Sequence, residues 1–412
     1  MIEKEVDIAI IGGGPAGLSA AIAAKKAGVD NILLIERNPS LGGILNQCIH
    51  EGFGIEIFKQ VLTGPEYIQS FIDQIEELEI PYMLNSMVID LSDKKEMRVC
   101  NEKDLYKVKA KAVILSMGCR ERTKGQICIP GVRPSGIYTA GTAQCFINLM
   151  NYLPGRRVVI LGSGDIGMIM ARRLTLEGAE VPAVVEILPF SSGLPRNIVQ
   201  CLNDFNIPLY LSHTIVDIRG GGRITSVTIA RVDDNQKPIK GTEREIECDT
   251  VLFSVGLIPE NELSRKAGIT LDSITQGAIV NENLETSVEG IFACGNVLHV
   301  HDVVDFVTME AERAGISAAS FVRGEAEEPG TIKVNAGDGI AYVLPHTVSG
   351  KKDILLSLRV KVPGKSKQIL VKDGDRIIKK IPKARVNPSE MIQFSLKKTE
   401  ISGSRELTIE VK

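Results

Sequence analysis

The sequence predicts an α/β protein with two parallel-sheet units and a small all-β domain at its C-terminus. One observation is a strand, glycine turn, helix and second strand at the N-terminus, and another is a copy of this pattern about 150 residues later. The third is a tail of short alternating strands. With 412 residues, of which 44% are hydrophobic, the chain can bury more than one core.

The first unit opens with an apolar strand over residues 6–11, followed by glycines and an Ala-rich helical stretch. Gly12 permits a tight turn, Gly14 lets the backbone approach a pyrophosphate, and Gly17 lets helix and strand pack closely. The phosphates would then lie at the helix N-terminus. Glu36 ends the next strand, 19 residues past Gly17, where its carboxylate can accept hydrogen bonds from an adenosine ribose.

The second unit repeats this order in the middle of the chain. An apolar strand over residues 158–161 precedes a second glycine turn, formed by Gly162, Gly164 and Gly167. The next strand ends in Glu186, again 19 residues past the third glycine. Two copies of the pattern predict two nucleotide cofactors.

The residues after Glu186 favour NADH over NADPH. They are isoleucine, leucine and proline, so no arginine is at hand to bind a 2′-phosphate. The carboxylate of Glu186 would itself repel such a phosphate.

The tail, residues 331–412, predicts a small β-rich domain after a linker near residues 324–330. Alternating segments separated by Gly, Pro and Asp turns lie at 354–362, 367–371, 376–381 and 407–411. The tail carries 17 Lys+Arg against 8 Asp+Glu, whereas the whole chain has a net charge of -3. This basic surface is either a solvated face or a docking surface for an acidic partner.

Composition excludes several classes of protein. There is no overall basic excess of the kind that a nucleic-acid binder needs. No uninterrupted apolar stretch reaches the length of a membrane span, and Glu3, Glu5 and Asp7 stand where a signal peptide carries basic residues. We therefore expect a cytoplasmic protein. The eight cysteines include no C-x-x-C pair, so we predict neither a zinc site nor an iron-sulfur cluster, and no metal.

On these residues the chain resembles the two-dinucleotide flavoproteins of the pyridine nucleotide-disulfide oxidoreductase superfamily, over about residues 5–325. Three further stretches carry the resemblance: VILSMGCR at 113–120, DTVLFSVGLIP at 249–259 and TSVEGIFACGN at 286–296. The resemblance implies two Rossmann-like domains, with an NAD domain at 126–245 inserted in an FAD domain at 1–125 and 246–325. Asn296 replaces the family's usual Asp, so it keeps hydrogen-bonding capacity without charge.

The cysteine pattern refines the resemblance. Disulfide reductases of the family carry a C-x4-C pair after the first acid-bearing strand, whereas this chain has only Cys48, in GGILNQCIHEGFG. Together with TAGTAQ at 139–144, that segment is similar to a single-cysteine branch containing the alpha subunits of opine oxidase, sarcosine oxidase and dye-linked proline dehydrogenase. The branch also includes the flavoprotein that accompanies anaerobic glycerol-3-phosphate dehydrogenase. The resemblance implies an FAD and NADH unit within a larger dehydrogenase complex.

The resemblance assigns the site residues to two cofactors. The FAD side comprises Gly12, Gly14, Pro15, Ala16, Gly17, Glu36, Arg37, Gly43, Gly118, Gly295 and Asn296. The NAD side comprises Gly162, Gly164, Asp165, Ile166, Gly167, Glu186 and Gly256. The reaction is hydride exchange between nicotinamide and flavin, in which the protein positions the rings and needs no nucleophile.

Four residues are candidates for a direct chemical role. Cys48 and His50 lie in a loop that approaches the flavin in this family, where Cys48 is either a redox thiol or a packed loop cysteine. His299 and His301 lie in HVHD, at the expected start of a helix. They either tune the flavin edge or ligate a metal, or the segment serves only to cap the helix through Asp302.

The sequence thus predicts an FAD-dependent oxidoreductase that exchanges hydride with NAD(H), in an oligomer or with a flavin-dependent dehydrogenase partner subunit. One alternative is an electron-transfer or assembly subunit with little turnover of its own. Another is a single-thiol peroxide or disulfide reductase that depends on Cys48.

Overall fold

The computed structural model describes residues 1–412, which divide into two compact units. The first unit combines residues 1–119 and 259–412, and the second comprises residues 120–258. The second unit is wider at both ends than the 126–245 predicted from sequence. Its C-terminal limit moves because β17, Thr250–Phe253, is a strand of its parallel sheet.

The N-terminal part of the first unit contains eight strands and two helices. The strands are β1 (Ile2–Ile11), β2 (Ile32–Ile35), β3 (Glu51–Phe53), β4 (Leu62–Thr63), β5 (Tyr82–Met83), β6 (Met87–Leu91), β7 (Glu96–Cys100) and β8 (Leu105–Leu115). The helices are α1 (Pro15–Lys26) and α2 (Gly64–Glu77). A short 3-10 turn spans Gly43–Gln47.

The second unit follows the short strand β9 (Cys119–Glu121). Its strands are β10 (Ile137–Thr139), β11 (Arg157–Leu161), β12 (Glu180–Glu186), β13 (Leu209–Leu211), β14 (His213–Gly220), β15 (Ile224–Arg231), β16 (Arg244–Glu247) and β17. Its helices are α3 (Ala140–Asn148), α4 (Asp165–Leu176) and the short α5 (Pro195–Asn197), which continues into a π-helical turn, Ile198–Leu202.

The chain then returns to the first unit through β18 (Leu257–Pro259), α6 (Glu262–Lys266), β19 (Ile291–Ala293) and the long helix α7 (Val304–Val322). The C-terminal domain contains β20 (Ile332–Ala336), β21 (Ile340–Leu344), β22 (Thr347–Val348), β23 (Ile354–Val360), β24 (Gly364–Asp373), β25 (Arg376–Val386), β26 (Ile392–Leu396), α8 (Lys398–Ile401) and β27 (Glu406–Val411).

Two sheets place the glycine turns. In the first unit the order is β5-β2-β1-β8-β7-β6, and β19 pairs in parallel with β8. In the second unit five strands run in the order β10-β17-β11-β12-β13, and all four neighbouring pairs are parallel. The central strands are apolar and buried, as the residues of a sheet covered on both faces should be. Each glycine turn lies at the carboxyl end of a central strand, where open α/β sheets bind ligands.

The C-terminal domain has a core of its own. Its strands form a five-stranded sheet, β22-β20-β27-β24-β25, and a three-stranded sheet, β21-β23-β26. Buried aliphatic side chains of both sheets form one cluster, which includes Leu356, Leu358, Ile369 and Leu407. The alternation of buried and exposed residues along these strands is the pattern from which the sequence predicts a β-rich tail.

Candidate active site

The first glycine turn is held by close backbone contacts at two of its glycines. Gly12 has a φ of +109°, and a Cβ there would lie 2.5 Å from the carbonyl oxygen of Ser116. A Cβ on Gly17 would lie 1.8 Å from the carbonyl oxygen of Gly12. Neither position can accept a side chain, because α1 and the strand ends are in direct contact there.

Gly14 is different, because the space beside it is open. A Cβ on Gly14 would meet only the Cα of Gly43, at 3.9 Å. Gly14 is also the N-cap of α1, and no side chain caps the N–H groups of the first turn. An open backbone at an uncapped helix N-terminus is the arrangement that binds phosphates. The sequence-predicted Pro15 and Ala16 form the first turn of this helix.

Glu36 lies at the end of β2 and is 5% exposed. Its Oε2 accepts the N–H of Gly13 at 2.7 Å, and its Oε1 accepts the N–H of Asn38 at 2.8 Å. A carboxylate has about four lone-pair sites, so two remain for a ribose. Arg37, the next residue, is exposed.

The second glycine turn repeats this geometry. Gly162 has a φ of +97°, and its Cβ would lie 2.0 Å from the carbonyl oxygen of Ser254. A Cβ on Gly167 would lie 2.7 Å from the Ser254 Cβ, whereas at Gly164 the nearest atom, the Ser254 Oγ, is 3.3 Å away. Ser254 therefore has the same place in the second unit that Ser116 has in the first. Glycine spacing alone does not reveal either serine.

Glu186 makes more contacts than Glu36. Its Oε2 accepts the N–H and the hydroxyl of Ser163, at 2.9 and 2.6 Å, and the hydroxyl of Ser192 at 2.9 Å. Its Oε1 accepts the N–H of Leu188 at 3.0 Å. One lone pair of Oε1 is left for a ribose hydroxyl.

Three other predicted NAD-side residues have distinct places. Asp165, in the first turn of α4, accepts the N–H of Leu194 and the amide of Asn197 through Oδ1, at 2.8 and 2.6 Å, so that oxygen holds the following loop. Ile166 packs against the core of the second unit. Gly256 has a φ of +100°, and a Cβ there would lie 3.8 Å from Nε of Arg122. Gly118, at φ +72° in the first unit, has open space beside it.

Gly295 brings the second predicted FAD segment to the first glycine turn. Its φ is +72°, and a Cβ there would lie 2.9 Å from the Cβ of Ala16, at the start of α1. The next residue, Asn296, accepts the backbone N–H of His301 at 2.9 Å through Oδ1. Its amide nitrogen lies 3.7 Å from the Cys119 sulfur.

His299 and His301 lie before α7, in an irregular segment. His299 is buried, with its Nε2 2.9 Å from Oε2 of Glu310 and its Nδ1 3.2 Å from the Tyr342 hydroxyl. Burial lowers the pKa of His299 to about 4. Burial opposes ionisation of Glu310, but the two histidines hold the pKa of its carboxyl well below the usual range.

Asp302 does not cap α7, contrary to one interpretation of the sequence. The N-cap is Val303, and no side chain bonds to the first turn. The Asp302 carboxylate instead accepts Nη2 of Arg359 at 3.1 Å and the N–H of Met391 at 3.2 Å. Both partners belong to the C-terminal domain, which is why no local pattern points to them.

Cys48 follows the 3-10 turn Gly43–Gln47, and its thiol lies 3.3 Å from the Ile44 carbonyl oxygen. Burial raises its pKa to about 12, which disfavours the thiolate that redox chemistry needs. Next to it, the His50 ring packs on Phe53, with 5.1 Å between centroids. The redox role of Cys48 and His50 stays a prediction.

The loop after His50 is tied to the start of α7. Asp305, in the first turn of that helix, accepts the N–H of Gly54 at 3.1 Å and of Ile57 at 2.9 Å. The end of the GGILNQCIHEGFG segment therefore contacts the first turn of α7, the helix that HVHD directly precedes. None of the helices combines the length and apolar character that a membrane span requires.

Comparison with known proteins decides the family. The family model described as pyridine nucleotide-disulphide oxidoreductase matches residues 6–318. The chain belongs to this family. Its members are FAD-dependent NAD(P)H oxidoreductases.

Three relatives show how far the likeness reaches. Thioredoxin reductase of Bacillus subtilis is 27% identical over 72% of this chain and 87% of its own length. The hydrogen cyanide synthase subunit HcnB of Pseudomonas aeruginosa is 26% identical over 63% of this chain and 59% of its own length. The crystal structure of T. acidophilum thioredoxin reductase covers 77% of this chain and 98% of its own, at 24% identity and a TM-score of 0.63.

The geometry of this member fits the family's cofactors. The open backbone at Gly14 and the uncapped start of α1 suit a pyrophosphate, and Glu36 has lone pairs left for a ribose. FAD supplies a ring that accepts and returns a hydride when it is bound. Glu310, Tyr342 and Arg359 are the site residues that sequence reasoning missed, since no motif joins them to HVHD.

Proposed function

We propose that this oxidoreductase exchanges hydride between NAD(H) and its FAD as the flavoprotein subunit of a larger dehydrogenase complex, and that it does not reduce disulfides. The observation that carries the proposal is the state of its thiols. Cys48 is the single cysteine of the loop in which disulfide reductases of the family carry a C-x4-C pair, and burial raises its pKa to about 12. A disulfide reductase needs a thiolate near neutral pH.

A second position supports the same conclusion. Thr139 and Thr142, at the start of α3, have the three-residue separation of a C-x-x-C motif, and their hydroxyl oxygens lie 2.8 Å apart. Cysteines at that spacing on a helix N-terminus form redox dithiols. Hydroxyl groups cannot form a disulfide, so this pair relays no electrons.

The preference for NADH rests on Glu186. Its carboxylate is 3% exposed and keeps one lone pair of Oε1 for a ribose hydroxyl. A 2′-phosphate at that place would meet the negative charge of Glu186, with no arginine among the next three residues to offset it.

The partner is proposed from the charge of the C-terminal domain. In the hairpin of β24 and β25, Lys365 stands opposite Arg385 and Lys367 opposite Lys383, and none of the four forms an ion pair. Like charges directly opposite each other destabilise a sheet, so the hairpin suits an acidic protein surface. A relative that is itself a subunit, HcnB, is consistent with this role. The earlier resemblance points to a complex that oxidises glycerol 3-phosphate.

Anaerobic titration of the FAD-loaded protein with NADH, and separately with NADPH, tests the cofactor assignment. We expect about one equivalent of NADH to bleach the visible flavin absorbance, and NADPH to act far more slowly. Equal rates with the two nucleotides would contradict the role given to Glu186. If neither nucleotide reduces the flavin, hydride exchange by this chain alone is excluded.

Acceptor specificity tests the rest of the proposal. In steady state, NADH oxidation should be supported by small dyes and not by low-molecular-weight or protein disulfides. Disulfide-dependent turnover that disappears in Cys48→Ser, with FAD retained, would establish the single-thiol alternative instead.

A further inference from the structure

A buried chain of polar side chains joins the C-terminal domain to the predicted flavin-binding segment. Nε of Arg359, on β23, donates to the Tyr342 hydroxyl on β21 at 3.2 Å. That hydroxyl lies 3.2 Å from Nδ1 of His299, whose Nε2 lies 2.9 Å from Oε2 of Glu310 on α7. The four side chains form one continuous path from β23 to α7.

The chemistry of the groups fixes the direction of each bond. Arginine can only donate, so the Tyr342 oxygen accepts from Arg359 and its own proton is left for Nδ1 of His299. Nε2 of His299 then carries the ring proton and donates it to Glu310. A neutral His299 of this single tautomer satisfies every bond in the path, and its low pKa agrees with neutrality.

Glu310 connects this path to the flavin-binding pair. Its Oε1 accepts the N–H of Gly295 at 2.8 Å and lies 3.7 Å from Nε2 of His301. Nδ1 of His301 lies 3.3 Å from Oδ1 of Asn296. The path that begins at Arg359 therefore ends on Gly295 and Asn296, two of the residues that the sequence assigns to FAD binding.

Arg359 also holds the segment between these groups. Its Nη2 donates to the carbonyl of Val300 at 3.2 Å and to Asp302 at 3.1 Å, and its Nη1 donates to the carbonyl of Pro388 at 2.8 Å. The Arg359 and Asp302 side chains are only 15% and 7% exposed. One guanidinium thus orients the hydroxyl of Tyr342 and the backbone of the HVHD segment together.

We propose that Tyr342 and Arg359 are positioning residues of the flavin site, which hold His299 in its Nε2–H tautomer and so align Glu310, Gly295 and Asn296. The family match ends at residue 318, so both residues lie outside the range that it covers. The C-terminal domain then contributes two positioning side chains to the flavin site. This inference rests on FAD binding and is independent of the hydride exchange and partner proposed above.

The same cluster could instead bind a metal ion, and the test must distinguish that alternative from the proposal. His299, His301 and Glu310 present one ligand atom each within 4.8 Å of one another, which could hold a divalent metal ion. A metal would take the place of the proton on Nε2 of His299. It would also add two positive charges beside Arg359 and near Arg313, whose positive charge already acts on Glu310.

The test is made on FAD-loaded protein labelled with 15N-histidine, since the chain has only five histidines. Tyr342→Phe removes the hydroxyl and keeps the ring. We expect the two ring-nitrogen shifts of His299, assigned with His299→Gln, to show the Nε2–H tautomer in the native protein and to move in Tyr342→Phe. The dissociation constant for FAD should rise about tenfold, the effect of losing one hydrogen bond in a buried charged network.

Two variants complete the design. Tyr210→Phe is the matched control, because the Tyr210 hydroxyl also accepts from an arginine, Arg244 at 2.8 Å, but lies in the second unit. Arg359→Lys should retain part of the FAD affinity, since it keeps the charge beside Asp302. The proposal is overturned if Tyr342→Phe leaves both the His299 shifts and FAD affinity as in Tyr210→Phe. A stoichiometric metal in the native protein, with no proton on Nε2 of His299, overturns it as well.

Discussion

Glu186 holds Ser163 by two hydrogen bonds to one oxygen, from the backbone N–H at 2.9 Å and from the hydroxyl at 2.6 Å. Glu36 takes the N–H of Gly13 in the corresponding place of the first unit, at 2.7 Å. Each carboxylate therefore holds its glycine turn in place from the end of the neighbouring strand. Glu36 and Glu186, which the motif predicts to bind a ribose, thus also stabilise the turns that are predicted to bind the phosphates.

Glu186→Gln is expected to weaken NADH binding about tenfold and to leave FAD content unchanged, because an amide offers a donor where the Ser163 groups also donate. The measurement is the KM for NADH alongside the flavin-to-protein ratio. Glu180→Gln is the control, since Glu180 is in the same strand but pairs with Arg157 at the surface. A normal KM for NADH in Glu186→Gln would remove this residue from the nucleotide site.

Two alanine substitutions in the first glycine turn should have different effects, one on stability and the other on FAD binding. Gly17→Ala places a methyl group 1.8 Å from the Gly12 carbonyl oxygen and should lower the free energy of unfolding by about 1–3 kcal/mol or more. Gly14→Ala has 3.9 Å of clearance and a φ of -83°, so it should fold normally but bind FAD weakly. Thermal unfolding of the apoproteins and flavin content distinguish the two. Full FAD loading of Gly14→Ala would show that no phosphate lies there.

Cys48 should be unreactive toward alkylating reagents. With its pKa raised by burial to about 12 from a usual 9.0, its thiolate fraction near pH 8 falls about a thousandfold. Mass spectrometry of iodoacetamide-treated protein should find the exposed Cys128 modified long before Cys48. Labelling of both at one rate would reopen the single-thiol mechanism.

Acid should destabilise the fold through His299. Because burial lowers its pKa to about 4 from 6.5, the unfolded chain binds a proton between these pH values that the folded chain does not. The stability linked to His299 is therefore complete above pH 6.5 and is lost as the pH falls toward 4. His299→Gln should show a shallower fall in melting temperature from pH 6.5 to 5 than the native protein. If the melting temperatures of the variant and the native protein fall equally with pH, His299 is not a neutral, buried residue.

The basic hairpin of the C-terminal domain should gain stability from a charge reversal. Lys383→Glu replaces a like-charge pair with Lys367 by an opposite-charge pair and should stabilise the fold by about 0.2–1 kcal/mol. Lys380→Glu is the control, because Lys380 stands opposite Leu370. Thermal unfolding in low salt makes the comparison. If Lys383→Glu does not raise the stability of the fold, the like charges of Lys367 and Lys383 do not destabilise the hairpin.

The glycine turns and their two acids could be predicted because they depend on short, fixed spacings. Each requires a sharp turn and a close helix-strand contact within one strand-helix-strand segment, so the sequence encodes it locally. Glu310, Tyr342 and Arg359 follow no such spacing. They reach His299 only because α7 and two strands of another domain pack around it, which is a tertiary arrangement. The alternative that Asp302 caps the helix fails for the same reason, since the partners of its carboxylate lie 57 and 89 residues away.

The contacts of Tyr342, Arg359 and Met391 with the segment around residues 299–302 also set an order of events during synthesis. The glycine turn at Gly14 and the segment ending at Asn296 leave the ribosome well before β23 does. Domains generally fold during synthesis in order from the N-terminus. The parallel sheet of the first unit can therefore form while His299 and Asp302 still lack their partners. The bonds to Tyr342 and Arg359 form only when translation is nearly complete, and premature termination before β21 yields a chain without them.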